Sequence, residues 1–199
     1  MRSLPIALFA VCLVGSPAVA HIGLGGSAET LSTGFFHPLG GADHVLAMVA
    51  VGIYAASLGG SAIWLTPATF VGAMIVGGAL GYAGLPLPYV EQGIGLSVVV
   101  MGIAIAFAIK LPTASTISLV GLFALFHGHA HGSEGAELTA FLPYAVGFVV
   151  ATSMLHLSGV AFALGLGRLG SASSTFLRQG AGTIGAIAGV SLLVGWLPT

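Results

Sequence analysis

Six long apolar segments occupy most of this chain, and they leave no room for a soluble domain. Each segment is long enough to cross a bilayer as a helix that rises about 1.5 Å per residue. They cover residues 34–57, 62–83, 89–109, 114–132, 139–167 and 179–197. Only 5% of the 199 residues are charged, which is too few to cover a soluble surface. We therefore predict an all-α integral membrane protein, a bundle of six transmembrane helices.

The chain begins with a sequence that is typical of a secretory signal. Its parts are the basic residue Arg2, an apolar core from Leu4 to Gly15, the helix breaker Pro17 and an A-x-A cleavage site at Ala18–Ala20. The alternative is a first membrane helix, but that needs about 20 apolar residues and the core is shorter. We expect residues 1–20 to be a cleaved signal peptide and residues 21–199 to form a single six-helix domain. Cys12 would be lost with the signal, so the mature chain has no thiolate ligand.

The charged residues predict how the bundle is oriented. A cleaved signal leaves the mature N-terminus outside, so the loops after the first, third and fifth spans face the cytoplasm. These loops contain the basic residues of the mature chain, Lys110, Arg168 and Arg178. The acidic residues Glu29, Glu91, Glu134 and Glu137 fall on the other side. This distribution follows the positive-inside rule and predicts a bacterial inner-membrane protein with both termini in the periplasm. The net charge of −1 gives no basis for nucleic-acid binding.

The first apolar segment contains polar side chains that bind metals. His37 and His44 are seven residues apart, which places them on one face of a regular helix, about 10 Å apart along its axis. They would then form two successive sites, or one site on a helix distorted at Gly40 and Gly41. Asp43 could bind metal itself or accept a hydrogen bond that fixes the His44 imidazole. A buried aspartate is costly in lipid, which favours function over a polar cluster that only holds helices together.

The fourth segment ends in the histidine-rich sequence FHGHAHGSE. His127 and His131 are four residues apart, one turn along one helix face, and this spacing suits a single ion. Glu134 follows one turn after His131, whereas His129 points elsewhere if the helix continues. The alternative is a surface loop that binds metal incidentally. Because the predicted topology puts this motif and the first-span cluster in the outer half of the membrane, we favour a shared metal site.

Histidines at successive depths indicate an ion pathway through the membrane. His37 and His131 would lie near the outer surface, and His44 and His127 would lie deeper. His156, in the fifth-segment sequence ATSMLHLSG, would be deeper still. Taken alone, a histidine at such a position is more often a hydrogen-bonding residue between helices than a metal ligand. Because His156 continues the series of histidines with depth, we favour a role as a metal ligand in the pathway.

The donor set limits the type of metal. Imidazole and carboxylate without thiolate suit Ni²⁺, Co²⁺, Zn²⁺ or Cu²⁺ better than Cu⁺ or an iron–sulfur cluster. His21 would offer an amino group and an imidazole at the mature N-terminus, but such termini are usually disordered, so it is a weaker candidate. Met48 could be a soft ligand, although filling a gap in the core is commoner. Glu91 could be a carboxylate at the mouth of the pathway or an exposed acid.

Four motifs, in this order, resemble the HupE/UreJ family of nickel permeases: HPLGGADHVLAM, LPYVEQGIGLSV, FHGHAHGSE and ATSMLHLSG. The resemblance covers essentially the whole mature chain. It implies a secondary transporter of about six spans, without enzyme activity or prosthetic group, that takes up Ni²⁺ and in some members Co²⁺. It also implies a functional link to hydrogenase or urease maturation. The metal residues that it implies are His37, Asp43, His44, His127, His131, Glu134 and His156, and it supports His129 least.

The residues leave two other functions open. An intramembrane zinc hydrolase could use His127, His131 and Asp43 to hold zinc, with Ser153 as a polar assistant, and zinc would activate water. A metal sensor or accessory subunit of a hydrogenase complex would bind metal without transporting it, although no soluble sensing domain is visible. The sequence predicts no oligomeric state.

Overall fold

The computed structural model describes residues 27–138, 140–169 and 171–195, and within these ranges every regular element is helical. The α-helices are α1 Ser27–Gly40, α2 Ala42–Leu58, α3 Ala62–Tyr82, α4 Val90–Ala106, α5 Thr113–Gly135, α6 Phe141–Leu166 and α7 Ser171–Gly195. A short 3-10 helix, Gly167–Leu169, follows α6. The all-helical prediction is therefore confirmed for the described ranges. The predicted signal peptide and His21 lie outside them.

The first predicted span is a broken helix. α1 and α2 are separated at Gly41 and meet at a bend of 79°. Gly41 has an extended backbone, with φ −100° and ψ 121°. Pro38 has no backbone N–H to donate, which weakens the last turn of α1 just before the break. Of the two alternatives for this segment, the distorted helix is therefore the one that the structure adopts. The regular helix, with His37 and His44 about 10 Å apart along one axis, is not found.

Three described helices have the length and apolarity of membrane spans: α3, α6 and Ala172–Gly195 of α7. The bent pair of α1 and α2 would make a fourth if it crosses as one span, and α4 is apolar but has only 17 residues. Large apolar side chains cover the outer surface, among them Leu142 at 73% and Phe176 at 75% exposure. A surface of this kind suits lipid and would promote association in water. The chain is therefore a helical membrane protein, and the number of six spans stays a prediction.

Close helix pairs organise the bundle. α3 packs along α5, α4 packs along α7, and α6 packs against both α1 and α2. In α5, a methyl group on Gly128 or Gly132 would overlap the backbone of α3, so these glycines allow the two helices to approach closely. His127 and His131 each precede one of these glycines and lie about 100° around the helix from it. The α3–α5 contact thereby directs both histidines toward the interior of the bundle.

A continuous apolar core separates two polar ends of the bundle. The core includes Met48 and Tyr54 of α2, Phe70 of α3, Met101 of α4 and Phe148 of α6. Met48 is thus a packing residue, the commoner of the two roles expected for it. The histidine-rich cluster lies at the N-terminal end of α2, and a basic cavity lies near the C-terminal end of the same helix.

Candidate metal centre

His44 and His131 meet at the centre of the histidine cluster. The Nε2 atoms of the two rings lie 2.5 Å apart. On the other side of each ring, Nδ1 lies 3.0 Å from a carboxylate oxygen, which belongs to Asp43 for His44 and to Glu134 for His131. Both histidines are buried. Each ring is therefore fixed between a carboxylate and the other imidazole.

This arrangement leaves two electron pairs facing each other. A neutral imidazole carries one N–H, and here Nδ1–H donates to the carboxylate, so Nε2 keeps its lone pair. Two facing lone pairs repel each other unless a cation, either a proton or a metal ion, lies between them. A transition metal binds imidazole nitrogen at about 2.0–2.1 Å, so two nitrogens on a tetrahedral ion are about 3.4 Å apart. The rings would separate by about 1 Å to accept the ion.

His37 and Glu134 form the exposed side of the cluster. The Nε2 atom of His37 lies 3.4 Å from a Glu134 carboxylate oxygen, and that side-chain carboxylate is 57% exposed. The rings of His37 and His131 meet edge to face with 4.8 Å between their centroids. Donor atoms of His37, His131 and Glu134 all lie within 4.8 Å of one another. An ion that reaches the exposed side of the cluster could therefore meet these three residues before His44.

His127 lies deeper in the bundle and is held by Ser97 of α4. The Ser97 hydroxyl donates to the Ile94 carbonyl at 2.6 Å, so its oxygen is free to accept the Nε2–H of His127 at 3.0 Å. This pair of hydrogen bonds fixes the His127 tautomer and leaves the lone pair on Nδ1. The Nδ1 atom is buried and has no hydrogen-bond partner among the described residues. Since the His127 ring centroid is 5.2 Å from that of His44, an unpaired donor atom borders the central pair.

Phe70 of α3 separates the cluster from the deepest histidine. Its ring centroid lies 5.5 Å from that of His127 and 4.9 Å from that of His156. His156 is 1% exposed, and within the described ranges neither of its ring nitrogens has a hydrogen-bond partner. An unpaired imidazole in an apolar interior is costly and is unusual unless it has a function. The alternative role as a hydrogen-bonding residue between helices finds no partner here.

The structure brings together most of the residues that the sequence predicted for the site. His37, Asp43 and His44, from the bent first segment, meet His127, His131 and Glu134 of α5. Of the two roles expected for Asp43, its contact fits the one that orients the His44 ring. His156 belongs to the same series of rings but lies beyond Phe70.

Three other predicted residues form no hydrogen bond or ion pair with the cluster in the described part of the chain. His129 faces away, as expected for a continuous helix, and its Nε2 is 2.7 Å from the Leu85 carbonyl oxygen in the loop before α4. Glu91 is exposed in the first turn of α4, where it is close enough to Asp43 and Glu134 to interact with them electrostatically. The Ser153 hydroxyl, suggested as the assistant of a zinc hydrolase, donates to the Val149 carbonyl in its own helix. Nothing in this arrangement favours a hydrolase.

Two residues of the candidate site were not predicted from the sequence. Ser97 is a single serine in the apolar sequence GLSVVV, and its spacing from His127 carries no signal because the two residues are on different helices. Phe70 is one of 11 phenylalanines and looks like an ordinary core residue. The hydroxyl of Ser97 inside a membrane segment was the only available hint, since polar groups there usually contact another helix.

Comparisons with known proteins give one family and one curated relative. A family model described as HupE / UreJ protein matches residues 9–192. Protein HupE of Rhizobium leguminosarum bv. viciae is 44% identical over 179 residues, which cover 90% of this chain and 92% of the relative. No solved structure matches the chain.

Proposed function

The chain belongs to the HupE/UreJ family, and from this membership we propose that it is a secondary transporter that imports a divalent transition metal ion. The proposed ion is Ni²⁺, with Co²⁺ as the second candidate, and the proposed location is the bacterial inner membrane. The observation that carries the proposal is the His44–His131 pair, in which two carboxylates direct two imidazole lone pairs at one point. Imidazole donors of this kind suit Ni²⁺ and Co²⁺.

The order of the rings describes a route for the ion. His37 and Glu134 collect it at the exposed side, the facing nitrogens of His44 and His131 bind it at the centre, and His127 accepts it next. Phe70 blocks the way to His156, so passage requires a movement of this ring or of its helix. Beyond Phe70, His156 offers two unpaired nitrogens as an inner binding position. The ion thus exchanges one imidazole for the next and does not enter apolar surroundings without a ligand.

The membrane potential favours import in the proposed orientation. We place the histidine cluster in the outer half of the membrane and Lys110, Arg168 and Arg178 on the cytoplasmic side, with both termini in the periplasm. An inside-negative potential favours cation entry by about 2.3 kcal/mol per charge per 100 mV, and a divalent ion gains twice that amount. The imported metal would supply a hydrogenase or urease. The protein carries no prosthetic group and catalyses no reaction in this proposal.

Uptake of radioactive nickel at nanomolar supply tests the proposal. His44→Ala and His131→Ala should each reduce accumulation at least tenfold at unchanged protein levels, because each removes one of the two facing donors. His129→Ala is the matched control, since His129 is in the same motif and buried but bonds to Leu85 and not to the cluster. Normal uptake by His44→Ala, or an equal loss in His129→Ala, would contradict the central site.

Purified protein in liposomes distinguishes transport from the role of a sensor or accessory subunit. A transporter moves nickel into sealed vesicles when an inside-negative potential is imposed, and Co²⁺ competes with it. A protein that only binds metal retains nickel on its own surface and leaves the vesicle interior empty, whichever potential is applied. The second result would contradict the proposed transport and leave the metal site intact.

A further inference from the structure

A second polar cavity lies at the opposite end of the bundle from the histidines. Its volume is about 140 Å³, and it is formed by the C-terminal part of α2, the end of α4 with the residues that follow it, and the first part of α7. The polar residues that line it are Tyr54, Ser57, Lys110, Thr175, Arg178 and Gln179. We name it the basic cavity. It has no role in the proposed transport pathway.

The basic cavity contains two positive charges and no negative one. Lys110 and Arg178 line it, and no acidic residue does. All ion pairs found among the described residues belong to the histidine cluster, so neither cation has a carboxylate partner. Two cations that line one cavity repel each other unless an anion lies between them. The cavity therefore has the charge of an anion-binding site.

Hydrogen bonds around the cavity leave several donors for a ligand. Arg178 is held from one side, where Nε donates to the Ser174 carbonyl at 3.2 Å and Nη2 donates to the Ser174 hydroxyl at 3.3 Å. A guanidinium has five N–H groups, and the others have no hydrogen-bond partner among the described residues. The Tyr54 oxygen accepts the Leu111 N–H at 3.3 Å, so its own O–H can donate to another group. An oxyanion with several acceptor oxygens matches this set of donors.

The surface beside the basic cavity is strongly apolar. Phe107 after α4 is 74% exposed, and Phe176 in α7 is 75% exposed. Ile109 and Leu177 nearby in the chain are exposed by 42% and 43%. A free anion in water makes no favourable contact with exposed apolar side chains, whereas the acyl chains of a lipid would cover them. Basic cavities between membrane helices commonly hold lipid head groups.

We propose that the basic cavity binds the phosphate group of an anionic phospholipid, with Lys110 and Arg178 as its charge partners. A free phosphate ion carries the same oxyanion as the lipid head group. The exposed apolar side chains favour a lipid as the ligand. Phosphatidylglycerol has a net negative charge and suits two cations, whereas the choline group of phosphatidylcholine would bring a third positive charge near them.

Native mass spectrometry of the full-length protein in detergent tests the site. Phosphatidylglycerol, phosphatidylcholine and inorganic phosphate are added in separate titrations. We expect phosphatidylglycerol to bind best. One cation near an anionic lipid contributes about fivefold in affinity, so Lys110→Gln and Arg178→Gln should each lose about fivefold and the double variant about 25-fold. Arg168→Gln is the matched control, because Arg168 is an exposed cation that does not line the cavity.

Each outcome of these titrations decides one point. Lipid preference that is lost in the double variant supports the phospholipid site, and Lys110→Arg should then keep it because the charge remains. Binding of inorganic phosphate that depends on Lys110 and Arg178, without lipid preference, supports the anion site with a free ion as its ligand. Equal binding by wild type and double variant, or an equal loss in Arg168→Gln, overturns the proposal. Circular dichroism of each variant excludes unfolding as the cause, and failed nickel transport would not affect this result.

Discussion

The Nε2 atoms of His44 and His131 face each other across 2.5 Å, although the two residues are 87 positions apart in the chain. Each imidazole has a carboxylate on its far side, so neither ring can turn away without losing that hydrogen bond. The bend at Gly41 makes this meeting possible, because it brings His44 at the start of α2 to the histidines of α5 while α1 packs along α6. One break in a helix thus brings two distant motifs together in one candidate metal site.

Asp43→Asn tests the role of the carboxylate that orients His44. Asparagine keeps the size of the side chain and removes the negative charge that stabilises the Nδ1–H tautomer. Loss of such a hydrogen-bonded carboxylate typically weakens metal binding about 10–100-fold, and we expect Ni²⁺ affinity to fall by that factor in isothermal titration. Glu137→Gln removes an exposed carboxylate near the end of α5 and should have no effect. Unchanged affinity in Asp43→Asn would mean that His44 is oriented by packing alone.

The fold was largely predictable because lipid imposes simple rules on sequence. All backbone polar groups of a span must be satisfied within it, so a long apolar segment in such a chain is a helix. Each predicted segment overlaps one described helix or, in the first case, a broken pair. Several predicted bounds were wrong, since α1 begins at Ser27, α5 continues to Gly135 and α7 begins at Ser171. Arg178 therefore lies in α7 and not in the loop where the sequence analysis placed it. Polar residues at helix ends lower the mean hydropathy, so an apolar segment does not show where its helix begins or ends.

Most residues of the candidate site could be predicted from the sequence, but their contacts could not. Histidines and aspartate stand out in apolar segments because they are costly there. The contacts depend on the bend angle at Gly41 and on which helices pack together, and neither follows from local sequence. Ser97 illustrates the limit: its role depends on an α4–α5 contact with His127, 30 positions away in the chain.

Gly41→Ala tests the break between α1 and α2. A methyl group there would overlap the Asp43 carboxylate and the Nδ1 atom of His44, so it should disturb their hydrogen bond. We expect nickel uptake to fall at least tenfold with little change in expression. The matched control is Gly40→Ala, since a methyl group on Gly40 meets no atom within 4 Å. If both variants transport normally, the close contact at Gly41 has no part in the site.

Ser97→Ala tests whether the hydroxyl fixes the tautomer of His127. Without the acceptor oxygen, Nε2–H loses its partner and the proton can move to Nδ1. Nitrogen NMR of the metal-free protein, labelled at histidine, should show this change in the proton's position. Nickel affinity should fall about 10–100-fold, as for other groups that orient a ligand.

Two further variants separate this effect from a loss of stability. Ser97→Thr keeps the hydroxyl and should keep the tautomer, whereas Ser153→Ala removes a hydroxyl that bonds only to its own helix and should leave His127 unchanged. Removal of a hydrogen bond costs about 0.5–1.5 kcal/mol in either alanine variant, so thermal stability alone would not distinguish them. An unaltered His127 spectrum in Ser97→Ala would refute the assignment.

His156→Leu tests the inner position beyond Phe70. Because neither ring nitrogen has a hydrogen-bond partner among the described residues, an apolar replacement removes no hydrogen bond and should leave stability unchanged or slightly raised. Nickel binding at the outer cluster should stay within about twofold of wild type, since His44 and His131 are intact. Uptake into liposomes should nevertheless fall at least tenfold, because the ion has no ligand after it passes Phe70. Met154→Leu, an exposed position on the same helix, is the control. Normal uptake with His156→Leu would place the inward route elsewhere in the bundle and would leave His156 with a packing role only.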